Sequence, residues 1–233
     1  MTAQDEAPRP GVPPQDVRPD PLHAALREIR RALDNLPSGR LADFPRARTA
    51  LVIIDMVNGF TREGALQSPH VQALIPAVRR LLEACVKRGI PALAFADNHP
   101  GDSPEFLCYP AHCVAGTSEA EIVDELKEVG GYTLIPKNST NGFLEPRFQA
   151  WLGEHPEIDH FIVVGDCTDI CIEQFATTLK AHFNRNNAPA RVVVPVDAVD
   201  TFDAGPHSRE LMHLTALFSM IGNGVEVVDG IQV

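Results

Sequence analysis

Apolar residues fall along this chain in short solid runs, separated by stretches with helical spacing. Runs at 50–54, 91–96, 132–135, 160–164, 191–195 and 225–228 read as strands. Between them, apolar positions recur every three or four residues at 71–88, 119–128, 170–182 and 208–221, which predicts helices. Strands that are apolar throughout, rather than alternating, are buried on both faces and belong to a parallel sheet covered by helices. Right-handed crossovers then give an α/β, three-layer doubly wound fold with a mainly parallel sheet of about six strands. Upstream, residues 1–20 are rich in Pro, Asp and Gln and read as a flexible tail. Leu22, Ala25, Ile29 and Leu33 give one apolar face to a helix at 22–36, ended by Pro37-Ser38-Gly39. The expected organisation is a tail at 1–20, a helical extension at 21–46 and one α/β domain at 47–233. The extension can cap that domain or serve a subunit contact in a homo-oligomer, and the sequence leaves both open.

In a doubly wound sheet, ligands sit beyond the carboxyl ends of the strands. Asp55 ends the first strand, Asp97 and His99 follow the second, Lys137 follows the third, and Asp166 to Cys171 follow the fourth. The segment Val163-Val164-Gly165-Asp166-Cys167-Thr168-Asp169-Ile170-Cys171 reads as strand, tight turn and helix start, with Thr168 or Asp169 as N-cap. A cysteine in a first helical turn faces free N–H groups and the positive end of the helix dipole, so a lowered thiol pKa is expected at Cys171. Alone, such a cysteine is more often an inert small hydrophobe. A carboxylate and a lysine on the same sheet edge change that balance. Asp55 can take the thiol proton, and Lys137 can stabilise both anions.

Composition narrows the field. The chain has 233 residues, 44% hydrophobic and 22% charged, which suits one folded domain. A formal charge of −11 argues against nucleic acid or an anionic membrane as partner, since both need a basic face. Five cysteines, an N-terminus without an apolar signal core and no long apolar span predict reduced thiols in a cytoplasmic protein.

Several stretches, in order, are similar to the nicotinamidase branch of the isochorismatase-like cysteine hydrolases. They are Val52-Ile53-Ile54-Asp55-Met56-Val57-Asn58-Gly59-Phe60, Asp97-Asn98-His99, Tyr109-Pro110-Ala111-His112-Cys113-Val114-Ala115-Gly116-Thr117, Pro136-Lys137 and Gly165-Asp166-Cys167-Thr168-Asp169-Ile170-Cys171. The resemblance covers about residues 48–230 and implies Asp55, Lys137 and Cys171 as a triad. It also implies an oxyanion hole from the N–H groups of Cys167 and Cys171, and a cis bond between Asp166 and Cys167. Asp97, His99 and His112 match the family's metal ligands, with Glu105 as the expected fourth and Asp102 in reserve. Zinc is the expected divalent ion, with iron or manganese as alternatives. Phe60 and Tyr109 match positions that flank the substrate ring, Tyr109 standing where relatives often carry Trp. Cys113 reads as a buried small residue, and 197–203 as a structural turn at a strand end.

The resulting expectation is a metal-dependent amidohydrolase that converts nicotinamide to nicotinic acid and ammonia through a cysteine thioester. One rival is a related amidohydrolase acting on another small amide or carbamoyl compound. A second is a catalytically silent ligand-binding or scaffold protein. Isochorismate hydrolysis fits less well, because both the cysteine set and the metal set are present.

Overall fold

The computed structural model describes residues 20–233, so the expectation for the tail falls almost wholly outside the described residues. The helices are α1 (Pro21–Leu33), α2 (Asn58–Thr61), α3 (Pro69–Gln72), α4 (Ile75–Arg88), α5 (Asp124–Val129), α6 (Pro146–Glu154), α7 (Glu173–Arg185) and α8 (Arg209–Gly222). The strands are β1 (Gly39–Arg40), β2 (Thr49–Ile54), β3 (Ala92–Asp97), β4 (Tyr132–Lys137), β5 (His160–Asp166), β6 (Arg191–Pro195), β7 (Val199–Asp200), β8 (Glu226–Val228) and β9 (Ile231–Gln232).

The main sheet runs β4-β3-β2-β5-β6-β8, with the short β7 taking over from β6 beside the end of β5. Its pairings are all parallel, and it has seven strands rather than six. Alternate residues of each central strand feed opposite faces, as the pleat requires. Leu51, Ile53, Ala94, Ile162 and Val164 join the core under α4, whereas Val52, Ile54, Phe95, Phe161 and Val163 join the core under α6, α7 and α8. These are the three layers expected from the solid apolar runs.

Local chemistry explains where the helices depart from their predicted spans. The stretch 71–88 divides into α3 and α4, because Pro76 has no N–H to continue the ladder across the junction. Gly89 then ends α4 in a left-handed conformation, and Ile90 N donates to Cys85 O at 2.9 Å. The stretch 119–128 begins in a short 3₁₀ turn at Ser118–Ala120 and is α-helical only from Asp124. Before that, Asn58 N donates to Glu121 O and Val123 N to Met56 O, which holds the chain extended beside the end of β2. The helix α6 had a signal in Phe148, Trp151 and Leu152, of which Phe148 and Leu152 are buried.

In α1, Asp20 caps the N-terminus by accepting from Leu22 N at 3.0 Å, and Pro21 takes the first position. The half-buried face is Leu26, Ile29, Leu33 and, beyond the helix, Leu36. Leu22 and Ala25 are exposed, so the apolar stripe is rotated from the expected one. Leu33 and Leu36 pack on the α7–α8 side of the core, and Arg30 pairs with Glu210 of α8. Among the described residues no helix is long and apolar enough to cross a membrane.

Candidate active site

The carboxyl ends of β2, β3, β4 and β5 lie side by side and deliver four ionisable side chains to one edge. Asp97 and Lys137 are direct register partners, and Ile54 pairs with both Phe95 and Gly165. Asp55 follows Ile54 with φ of 56°, a left-handed conformation that costs a non-glycine residue about 1–3 kcal/mol and that clusters at functional sites. Gly165 also has a positive φ, 113°, and a Cβ there would lie 1.9 Å from Ile54 O. Only glycine lets β5 turn into the following segment this close to β2. The Asp166–Cys167 peptide bond is cis, as the resemblance implied.

Lys137 is fully buried and ties the centre together. Its ammonium donates to Asp97 Oδ1 and, at 2.8 Å, to Ser139 O. It lies 3.0 Å from Asp55 Oδ2 and 3.7 Å from Cys171 Sγ. Burial works against its charge, but Asp55, Asp97 and Cys171 together outweigh burial and hold its pKa well above the ordinary lysine value. Burial pushes Asp55 up to about 7, with Lys137 pulling it down and Asp97 pushing it further up. For Asp97, burial is opposed by Lys137, His112 and His99, which leave the carboxylate firmly ionised. Asp166 is buried with neither oxygen hydrogen-bonded, and burial followed by the charges of Asp55 and Asp97 raises it well above the carboxylate range.

The surroundings of Cys171 correct one expectation. It sits in a single π turn, Thr168–Ile172, that precedes α7. Burial pushes its thiol well above the usual value, and the pull of Lys137 offsets this only in part. The resting group is the thiol, because removing solvent from the sulfur outweighs any help from the helix end. Neither Thr168 nor Asp169 caps the helix. Thr168 Oγ1 lies 2.9 Å from His213 Nδ1, and Asp169 Oδ2 lies 2.8 Å from His207 Nε2.

A second group of donors adjoins this centre. Ligand atoms of Asp97, His99, Glu105 and His112 all lie within 4.8 Å of one another. His99 Nδ1 donates to Asn138 Oδ1 at 2.9 Å, and His112 Nδ1 donates to Pro110 O at 2.8 Å. These bonds orient both rings and turn each Nε2 toward Asp97. Asp97 Oδ2 is 3.3 Å from His99 Nε2 and 3.5 Å from His112 Nε2, and the buried His99 Nε2 has no hydrogen-bond partner. Two convergent imidazole Nε2 atoms with two carboxylates suit a divalent cation. Glu105 joins the cluster from a short 3₁₀ turn at Pro104–Leu107, whereas the exposed Asp102 does not.

Above both groups lies a cavity of about 500 Å³, including its open mouth. Phe60, Leu66, Val71, Tyr109, Thr140, Ile170 and Phe202 form its walls, with Asp97, Glu105, His112, Cys167 and Cys171 at its polar end. Phe60 and Tyr109, expected beside the substrate ring, do face this space. Contributors not foreseen include Asn138, which orients His99; Phe106, whose ring packs 5.6 Å from His99 and 5.5 Å from His112; and the wall residues Leu66, Val71, Thr140, Ile170 and Phe202. Phe202 belongs to 197–203, which is thus more than a strand-end turn. Its only sequence signal was an aromatic residue among Asp and Ala. Cys113 is buried as expected, and Cys108 is exposed.

Comparison with known proteins agrees with this geometry. The isochorismatase domain model matches residues 49–226. Nicotinamidase 1 of Arabidopsis thaliana is 35% identical over 211 residues, covering 78% of this chain and 86% of that protein. The crystal structure of N-carbamoylsarcosine amidase from Thermoplasma acidophilum superposes with a TM-score of 0.63 at 26% identity, covering 78% of this chain and 95% of that one. Pyrazinamidase of Pyrococcus horikoshii in complex with zinc superposes with a TM-score of 0.65 at 24% identity, covering 81% and 100% of the two chains. The chain belongs to the isochorismatase family, as a nicotinamidase-like, cysteine-type amidohydrolase.

Proposed function

We propose that the protein hydrolyses nicotinamide to nicotinic acid and ammonia, with Cys171 as nucleophile, Asp55 as proton carrier and Lys137 as the third catalytic group. The observation that carries this reading is the meeting of Asp55 and Lys137 behind Cys171, whose sulfur lines an aromatic cavity, beside the cluster of Asp97, His99, Glu105 and His112. The carboxamide carbon is set against Cys171 Sγ, and the ring lies between Phe60 and Tyr109.

The resting thiol is protonated, so attack and deprotonation go together. Asp55 accepts the thiol proton as the S–C bond forms, and the carbonyl oxygen takes the negative charge. The N–H groups of Cys167 and Cys171 stabilise that oxyanion. The intermediate collapses with loss of the C–N bond, and Asp55 gives its proton to the departing nitrogen, releasing ammonia. In the second half Asp55 takes a proton from water, whose oxygen attacks the thioester. The S–C bond then breaks, and the sulfur recovers a proton from Asp55. A group that accepts and gives a proton twice per turnover works best near the ambient pH, and Asp55, at about 7, meets that condition. Lys137 keeps its charge throughout and stabilises the anionic state of whichever neighbour carries it.

Asp97, His99, Glu105 and His112 would hold a divalent cation, zinc in the first instance. When bound, it would supply a fixed positive charge and a coordination position for a neutral nitrogen ligand. The lining also separates substrate classes. Its charged members are the acidic Asp97 and Glu105, and among the described residues no arginine or lysine reaches the cavity wall. A substrate with its own carboxylate, such as a carbamoyl amino acid or isochorismate, would find no side-chain counter-charge on that wall, only the cation itself. A neutral aromatic amide loses nothing on entry. The test is ammonia release from nicotinamide, pyrazinamide and simple carbamoyl compounds, with and without chelator. Turnover of the two heteroaromatic amides, lost on chelation, is expected. Preference for a carbamoyl compound, or full activity after chelation, would contradict the reading.

A further inference from the structure

The segment after β7 touches the cavity through one side chain. Phe202 lines it, whereas residues 203–206 are exposed. An aromatic ring on an exposed loop ordinarily swings between rotamers. This one is held. Its ring lies flat on the His207 imidazole, with centroids 3.9 Å apart and planes 6° from parallel. His207 Nδ1 lies 2.9 Å from the Phe202 carbonyl oxygen, and His207 Nε2 lies 2.8 Å from Asp169 Oδ2. The loop between the two rings is closed by reciprocal backbone bonds, Ala204 N to His207 O at 3.1 Å and His207 N to Ala204 O at 2.9 Å. Gly205 supplies the left-handed residue in that turn, with φ of 55°.

Asp169 is the far anchor, and its position matters. It lies in the π turn, two residues before Cys171, with its side chain nearly covered. The chain Asp169, His207, Phe202 therefore ties one wall of the cavity to the turn that carries the nucleophile. A ring pinned on one face by a stack, with its backbone and its partner both hydrogen-bonded, cannot tilt outward to admit a wider ligand without breaking those contacts.

We infer that Phe202 is a specificity-determining residue, held by the positioning residues His207 and Asp169, and that it restricts this enzyme to amides on a single unsubstituted aromatic ring. The inference rests on Cys171 as the nucleophile facing this cavity. Replacing a packed wall residue changes selectivity between substrates differing by small groups by about tenfold or more. In Phe202→Ala the ratio of kcat/KM for a bicyclic amide, quinoline-3-carboxamide, to that for nicotinamide should rise by at least about tenfold. His207→Ala should move the ratio in the same direction, because the stack and the tie to Asp169 go together. Phe202→Tyr should keep the wild-type ratio.

A second readout needs no turnover. The rate of Cys171 alkylation by an N-naphthyl iodoacetamide, relative to iodoacetamide itself, is measured by peptide mass spectrometry in the same proteins. The naphthyl reagent should gain on iodoacetamide in Phe202→Ala and His207→Ala. Absence of nicotinamide turnover by the wild-type enzyme would tell against the nicotinamide reading and would leave the alkylation ratio to judge the wall. If folded Phe202→Ala and His207→Ala keep the wild-type ratios, or lose activity on both amides in proportion, Phe202 is ordinary packing and the inference is overturned.

Discussion

Burial sets the properties of the individual side chains in this site more than any single neighbour does. Asp55 shows this most directly, since burial carries it to about 7 against the opposing pull of Lys137. Only ionised Asp55 can accept the thiol proton, so kcat/KM for nicotinamide should fall as the pH drops through about 7. A profile flat from pH 5 to about 8, on the scale where ordinary carboxylates are already ionised, would contradict that role. The sign for stability is opposite. An acid whose folded pKa is raised binds its proton more tightly when folded, so its contribution is present at low pH and lost as the pH rises through about 7. Asp55→Asn should cost about 10²–10⁴-fold in kcat, measured on folded protein. Lys137 is a different case, because its removal leaves Asp97 ionised and buried without its cation. Lys137→Met should therefore destabilise the fold by about 3–5 kcal/mol in urea denaturation, beyond its effect on rate.

At the scale of the elements, the ends of four parallel strands do the positioning. The strands were legible because each is a solid apolar run, and Asp55, Asp97 and Lys137 were legible as charges placed directly after such runs. The register that sets Asp97 beside Lys137 was not, since pairing partners lie 40 residues apart and periodicity carries no register between them. The shape of the nucleophile's turn was also hidden. A regular first helical turn and a π turn have the same residue spacing at this length, and the difference lies in which carbonyl Ile172 N selects, here Cys167 O. Short pieces such as β1, β7 and β9 fell below any pattern, because two residues have no period. Gly165 is the element-scale position with least tolerance. Gly165→Ala sets a Cβ against Ile54 O, so soluble yield or the urea midpoint should fall sharply, whereas Gly153→Ala, at a helix position with open space, should be nearly neutral.

For the whole molecule, the fold brings two chemistries to one cavity, a buried thiol centre and a donor cluster with inward-facing imidazole nitrogens. The donor types were legible in sequence through spacing and resemblance. The hydrogen bonds that aim them, from His99 to Asn138 and from His112 to Pro110, depend on loops that only the assembled domain brings together. If the cluster binds a cation only in the folded state, zinc should raise the midpoint of thermal unfolding, by a stabilisation of about 2.7 kcal/mol at a hundred times its Kd. His112→Ala should abolish most of that increment, and an unchanged increment would show that zinc binds elsewhere.

The catalytic expectations depend on the sulfur of Cys171. The most direct test is ammonia release from nicotinamide by folded Cys171→Ala under conditions that saturate the wild-type enzyme. Release at the level of the uncatalysed reaction is the predicted result, because neither Asp55 nor Lys137 can form the acyl intermediate. Release near the wild-type rate would contradict the account.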